Sequence, residues 1–109
     1  MSYDEGVVER LREALAGRKD VTEMKKFGGI AFMVSGNMCC GVVDDTLMAR
    51  VGPDQYEAAL KKPHARKMDF TGKPLKGFVY VAPEGFESDD DLVYWVRLCV
   101  GFVATLPPK

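Results

Sequence analysis

No apolar run in the 109-residue chain reaches the ~20 residues needed to cross a bilayer. Its opening, MSYDEGVVER, lacks the basic and apolar regions of a secretory signal. Both absences point to a cytoplasmic protein without a membrane partner. An excess of one charge is missing too: 15 Lys/Arg stand against 16 Asp/Glu, a formal net charge of −1. Direct DNA binding through bulk positive charge is therefore expected to be weak or absent at physiological salt. Histidine occurs once and cysteine three times. An odd cysteine count without regular spacing gives no disulfide framework, and a structural zinc site normally takes four ligands. Cys39 and Cys40, adjacent on a strand, are expected to point to opposite faces, and Cys99 falls in a helical apolar pattern. All three read as buried free thiols in a reducing compartment. Repeats, low-complexity tracts and linkers are absent, so residues 1–109 are expected to form one domain.

The strongest pattern present is the stretch from Phe27 to Arg50. Ile30, Phe32 and Val34 alternate with Ala31 and Met33 before Ser35-Gly36-Asn37 breaks the run. Met38, Cys40 and Val42 then resume the period of two against Cys39, Gly41 and Val43, and Asp44-Asp45 supplies a second turn before Leu47-Met48-Ala49-Arg50. Short polar links between β-rich runs predict an antiparallel meander. The alternation leaves Ala31, Met33 or Cys39 to make the second face partly apolar, which would invite self-association as a homodimer. Gly28-Gly29 predicts positive φ or close packing at a strand start; a phosphate cradle would need a helix N-terminus after it, and a strand follows instead.

Helices flank the meander. Ser2 as N-cap with Glu5 three residues on forms a capping box, followed by an apolar stripe of Val7, Val8, Leu11, Ala14 and Leu15 and an end near Gly17. From Arg18 to Lys26 the strand signal is weak at most. Pro53 starts a short helix with Tyr56, Ala59 and Leu60 on one side, which stops before Pro63. Gly77 to Val81 reads as a strand. Ser88 caps a last helix with Asp89, Asp90 and Asp91 in its first turn, and Leu92, Trp95, Val96, Cys99, Phe102, Val103 and Leu106 along one side. The fold class is α+β: an antiparallel sheet of four to five strands with helices packed on one face.

The best candidate for chemistry is KKPHARKMDFTGKPLK, residues 61–76, with six Lys/Arg against one Asp. It reads as a long basic loop pinned by Met68, Phe70 and Leu75. Lys61, Lys62, His64, Arg66, Lys67, Lys73 and Lys76, with neighbouring Arg50, are the candidate partner-binding residues, suited to an acidic protein surface or to phosphates. The bland alternative is a solvated loop. Only Phe70 is interleaved, so a stacking platform for single-stranded nucleic acid is not expected. A thiol enzyme would need Cys39 or Cys40 beside His64, yet cysteines inside strands read first as packing. Asp44-Asp45 and Asp89 to Asp91 read as a turn and a cap. No catalytic residue, metal or cofactor is expected.

Three blocks, FGGIAFMVSGNMCCGV, LMARVGP and PHARKMDFTGKPLKGFVYV, resemble in order the N-terminal domain of the TfoX/Sxy family of bacterial competence regulators. The resemblance runs from about Tyr3 to the closing LPPK. It implies a two-layer, secretion-chaperone-like α+β fold and a non-enzymatic role in transcription, as a co-activator beside the cyclic-AMP receptor protein. The partner it implies is a protein, part of the transcription machinery. Family members carry a second, helical domain that this chain, ending at Lys109, is expected to lack. No catalytic residue carries over. The matched positions Phe27, Gly28, Gly29, Gly36, Asn37, Gly41, Arg50, Pro63, His64, Arg66, Gly72 and Gly77 are expected to set the fold and its surface. The runner-up function is a small-molecule or phosphate binder that uses the same loop, with a concave pocket beside His64 and Arg66.

Overall fold

Alternating apolar residues and two-residue turns build the sheet, and amphipathic helices then cover one side of it. The computed structural model describes residues 3–26, 28–70 and 73–108, without the side chains of 70 and 73–75. Helix α1 (Glu5–Ala14) precedes strands β1 (Val21–Lys26), β2 (Gly29–Val34), β3 (Asn37–Val43) and β4 (Thr46–Arg50). Helix α2 (Pro53–Leu60), β5 (Ala65–Phe70), β6 (Lys73–Val81), a 3-10 turn (Pro83–Gly85) and α3 (Asp89–Val103) follow. The sheet order is β1-β2-β3-β4-β6-β5, and every pairing is antiparallel. Six strands exceed the four to five expected; β1 and β5, at the two edges, are the ones the sequence pattern marked weakly or missed.

The expected meander is present. Val34 pairs with Asn37 across Ser35 and Gly36, whose φ of 52° and 83° are the left-handed values that a type I′ hairpin turn requires. Gly28 adopts φ 77°, and a Cβ on Gly29 would collide with the Val42 carbonyl, so the glycine pair meets both of its expected reasons. Helix α1 is capped by Asp4, whose Oδ1 accepts from the amides of Gly6 at 2.8 Å and Val7 at 3.3 Å. The expected cap, Ser2, lies outside the described residues. Ser88 caps α3 as expected, accepting from the Asp91 amide at 3.1 Å. Leu92, Trp95, Val96, Cys99 and Val103 are buried, whereas Phe102 and Leu106 are only half-buried.

All three helices contribute to one core, on the sheet face that carries Ile30, Phe32, Val34, Val42, Leu47, Val79 and Val81. The opposite face holds a second cluster, Ala31, Met33, Met38, Met48 and Met68, flanked by Val43, Phe78 and Tyr80. Among the described residues no helix contributes to it. Ala31 and Met33 were expected to lie open for self-association; instead they are buried, so that face offers no apolar patch there. Flexible thioethers close it: a Cβ on Gly41 would sit 2.7 Å from Met48 Cε, so the Met48 methyl occupies the space above the neighbouring strand.

Two further expectations are corrected. Phe32 pairs with Cys40 but Met33 with Met38, so β3 carries one extra residue, Cys39, in a β-bulge. The bulge cancels the alternation, and Cys39 joins Cys40 and Cys99 in the helix-side core rather than pointing away from Cys40. The segment 61–76 is not a loop. Most of it is the β5–β6 hairpin, because Arg66 and Lys67 pair with Tyr80 and Val79 and Met68 is fully buried. Phe27 and Gly72 lie outside the described residues, as do the side chains of Phe70, Lys73 and Leu75.

Candidate functional site

The hairpin distributes the basic residues around one edge of the sheet. Lys61 and Lys62 close α2, donating their amides to the carbonyls of Ala58 and Ala59. His64 takes a left-handed φ of 68° where the chain turns into β5. On that edge strand Arg66 and Lys67 fall on opposite faces. Arg66 stands opposite Tyr80 and lies 5.1 Å from its ring centroid; Lys67 stands opposite Val79 of the helix-side core. Lys61, Lys62, His64, Arg66, Lys67 and Lys76 are all exposed, and none joins an ion pair among the described residues. The Lys62 ammonium sits 4.4 Å from the Tyr94 ring centroid, a cation–π contact.

Arg50 does not belong with them. Its guanidinium donates to the Met38 carbonyl at 3.2 Å and lies 5.4 Å from the ring centroids of both Phe78 and Phe102. The chain itself occupies this group. Lys73 sits at the start of β6, with its side chain outside the description.

Beside the edge lies a cleft of about 400 Å³ lined by Lys62, Pro63, His64, Glu84, Gly85, Asp91, Tyr94 and Trp95. The Trp95 indole N–H donates to the Gly85 carbonyl at 3.2 Å, which ties α3 to the 3-10 turn and fixes one wall. Lys62 and His64 share the cleft with Glu84 and Asp91, so an anion placed there meets two carboxylates as well as the cation. Arg66 does not line it, and the expected pocket beside His64 and Arg66 is a pocket beside His64 alone. Sequence reasoning missed the contribution of α3. The available signal was Tyr94, a large aromatic one step off the buried stripe and left 41% exposed.

The thiols form a separate, enclosed group. Cys39, Cys40 and Cys99 are free and buried. Hydrogen bonds from Cys40 and Cys99 pull the Cys39 thiol below its ordinary range; the same contacts with Cys39, and then burial, push Cys40 and Cys99 up. The lowered thiol is 0% exposed, and no cysteine lines the cleft that holds His64. A nucleophile–base pair between them is therefore not assembled. Among the described residues no group of His, Cys, Asp or Glu is arranged to hold a metal ion, and no helix is long and apolar enough to cross a membrane.

No curated protein matches the sequence. The model of the TfoX N-terminal domain matches residues 13–103, a span that contains the meander, the β5–β6 hairpin with its exposed cations, and α3. The chain belongs to the TfoX N-terminal domain family.

Proposed function

We propose that the chain is a non-enzymatic regulatory domain that acts in the cytoplasm by binding another protein, within the transcriptional control of competence that its family resemblance implies. The observation that carries this reading is the β5 edge. It carries exposed cations on each face, from Lys62 through Arg66 and Lys67, and none of them joins an ion pair among the described residues. An acidic partner segment meets opposite charge on both faces of one edge. The net charge of −1 makes this local rather than global attraction, which favours a protein over a DNA duplex.

Affinity capture from the source cell's extract tests the reading, with Lys62→Glu/Arg66→Glu as control. The wild type should retain a transcription factor or polymerase subunit that the charge-reversed protein loses, while the two melt at nearly the same temperature. Equal retention by both would remove the edge from the proposal. A second reading, a ligand in the His64 cleft, draws on the volume of that cleft and its Tyr94 and Trp95 walls. Inorganic phosphate should raise the melting temperature if the ligand is a phosphate; Glu84 and Asp91 argue for a small or null rise.

A further inference from the structure

The other edge of the sheet carries a different message. Strand β1 pairs with β2 without interruption from Val21↔Val34 to Lys26↔Gly29, whereas β5 is broken by an irregularity between Lys67 and Asp69. Bulges blunt an edge against further pairing, so among the described residues β1 is the more regular of the two open edges. Residues 22–26 are exposed, and no backbone hydrogen bond among the described residues joins β1 to anything but β2 and its flanking turn.

Which groups face outward follows from one bond. The Ser35 amide donates to the Asp20 carbonyl at 2.9 Å, so Asp20, Thr22, Met24 and Lys26 turn their backbone groups toward β2. Val21, Glu23 and Lys25 turn theirs outward. A second copy adding antiparallel across a two-fold axis must match outward residues with outward residues, which permits only registers that slide by two. Centring the axis on Glu23 sets that carboxylate against itself, and centring it on Lys25 sets two ammonium groups together. Centring it on Met24 places Glu23 opposite Lys25 of the second copy and Lys25 opposite its Glu23, as two hydrogen-bonded, oppositely charged pairs. Met24 then meets its own copy in the intervening non-hydrogen-bonded pair, where side chains lie closest. Met24 is 47% exposed and, among the described residues, is one of three large apolar side chains left so open. It shares its face with the buried Ala31 opposite it, so the two Met24 side chains would extend the methionine cluster across the axis.

We propose that β1 is a homodimer edge, with the axis at Met24, that joins two sheets into one twelve-stranded sheet. The charge pattern of Glu23, Met24 and Lys25 is self-complementary in this register and in no neighbouring one. This surface is at the end of the sheet opposite the β5 edge, and the two functions do not compete.

Sedimentation analysis over a concentration series, with amide hydrogen exchange, tests it. The wild type should show a monomer–dimer equilibrium, and exchange at the Glu23 and Lys25 amides should slow as concentration rises. Lys25→Glu leaves the intrachain Arg12–Glu23 ion pair in place, so its fold is not at issue, and it should weaken the dimer about tenfold. Glu23→Lys/Lys25→Glu restores opposite charges across the axis but breaks the Arg12–Glu23 ion pair, so it should recover the dimer while melting slightly below the wild type. A wild type that stays monomeric at its solubility limit, a dimer whose Glu23 and Lys25 amides exchange as fast as in the monomer, or a double variant no better than Lys25→Glu would each overturn the proposal.

Discussion

Both faces of the sheet hold a cluster of fully buried side chains, by different means. The helix side packs branched and aromatic residues, such as Phe32, Leu47, Val79 and Trp95, against three amphipathic helices. The other side reaches full burial at Ala31, Met48 and Met68 with no helix among the described residues. Among the described residues its cover includes long thioethers and Arg50 and Arg66, laid over Phe78 and Tyr80. Shape-specific packing needs rigid partners held by a second layer, whereas unbranched methionine adapts to whatever space the strands leave. A face on which no helix packs among the described residues is thus filled by the side chain least dependent on one.

Truncation should separate the faces most clearly. Phe32→Ala removes a fully buried ring from the helix side and should cost about 4 kcal/mol in urea unfolding. Met48→Ala opens the methionine face and should cost about 3 kcal/mol, less because its flexible neighbours collapse into the gap. Equal losses would mean that the second face is as rigidly packed as the first. Arg50→Ala removes a charged donor from the Met38 carbonyl and uncovers two rings, and should cost about 1.5 kcal/mol in the same assay. Met68→Leu preserves volume, so a loss below about 1 kcal/mol is expected; a larger one would show that a branched side chain does not fit there.

The smallest difference is electrostatic. Arg12 of α1 holds Glu23 of β1 with two hydrogen bonds of 2.7 and 2.8 Å, on the helix side, and that contact lowers the Glu23 carboxyl below its ordinary 4.5. A lowered folded-state value adds stability that is complete above the ordinary value and disappears as pH falls through the lowered one. Glu23→Gln should therefore melt slightly below the wild type at pH 7, with the two curves converging in acid; a gap that persists in acid would assign the effect to packing. High salt should also narrow the gap, because the pair is open to solvent.

These contrasts also show where the sequence was readable. Alternation from Ile30 to Val34 and helical spacing from Leu92 to Val103 report side chains that face a core, so the meander and α3 were legible. β1 was not, because VTEMKK sets only its first residue, the half-buried Val21, against the core, and an exposed edge strand leaves no apolar period to detect. β5 failed for a related reason: among its described side chains only Met68 is fully buried, too little to mark a strand among basic residues. The cysteine bulge fell beyond a rule that assumes perfect alternation. At the candidate site, the basic residues were visible as a cluster in sequence, but their division between two faces of an edge strand depends on pairing with β6. The removal of Arg50 from the group depends on rings from two distant elements.

The bulge at Cys39 has a practical corollary. By turning two adjacent thiols toward Cys99, it gathers every sulfhydryl in the chain at one buried point, reachable only when the helix-side core opens. A thiol reagent added to the native protein then measures the frequency of that opening rather than the reactivity of sulfur. The three groups should report a single rate, set by the opening of the core they share, so the protein carries its own stopwatch for the loosening of its core.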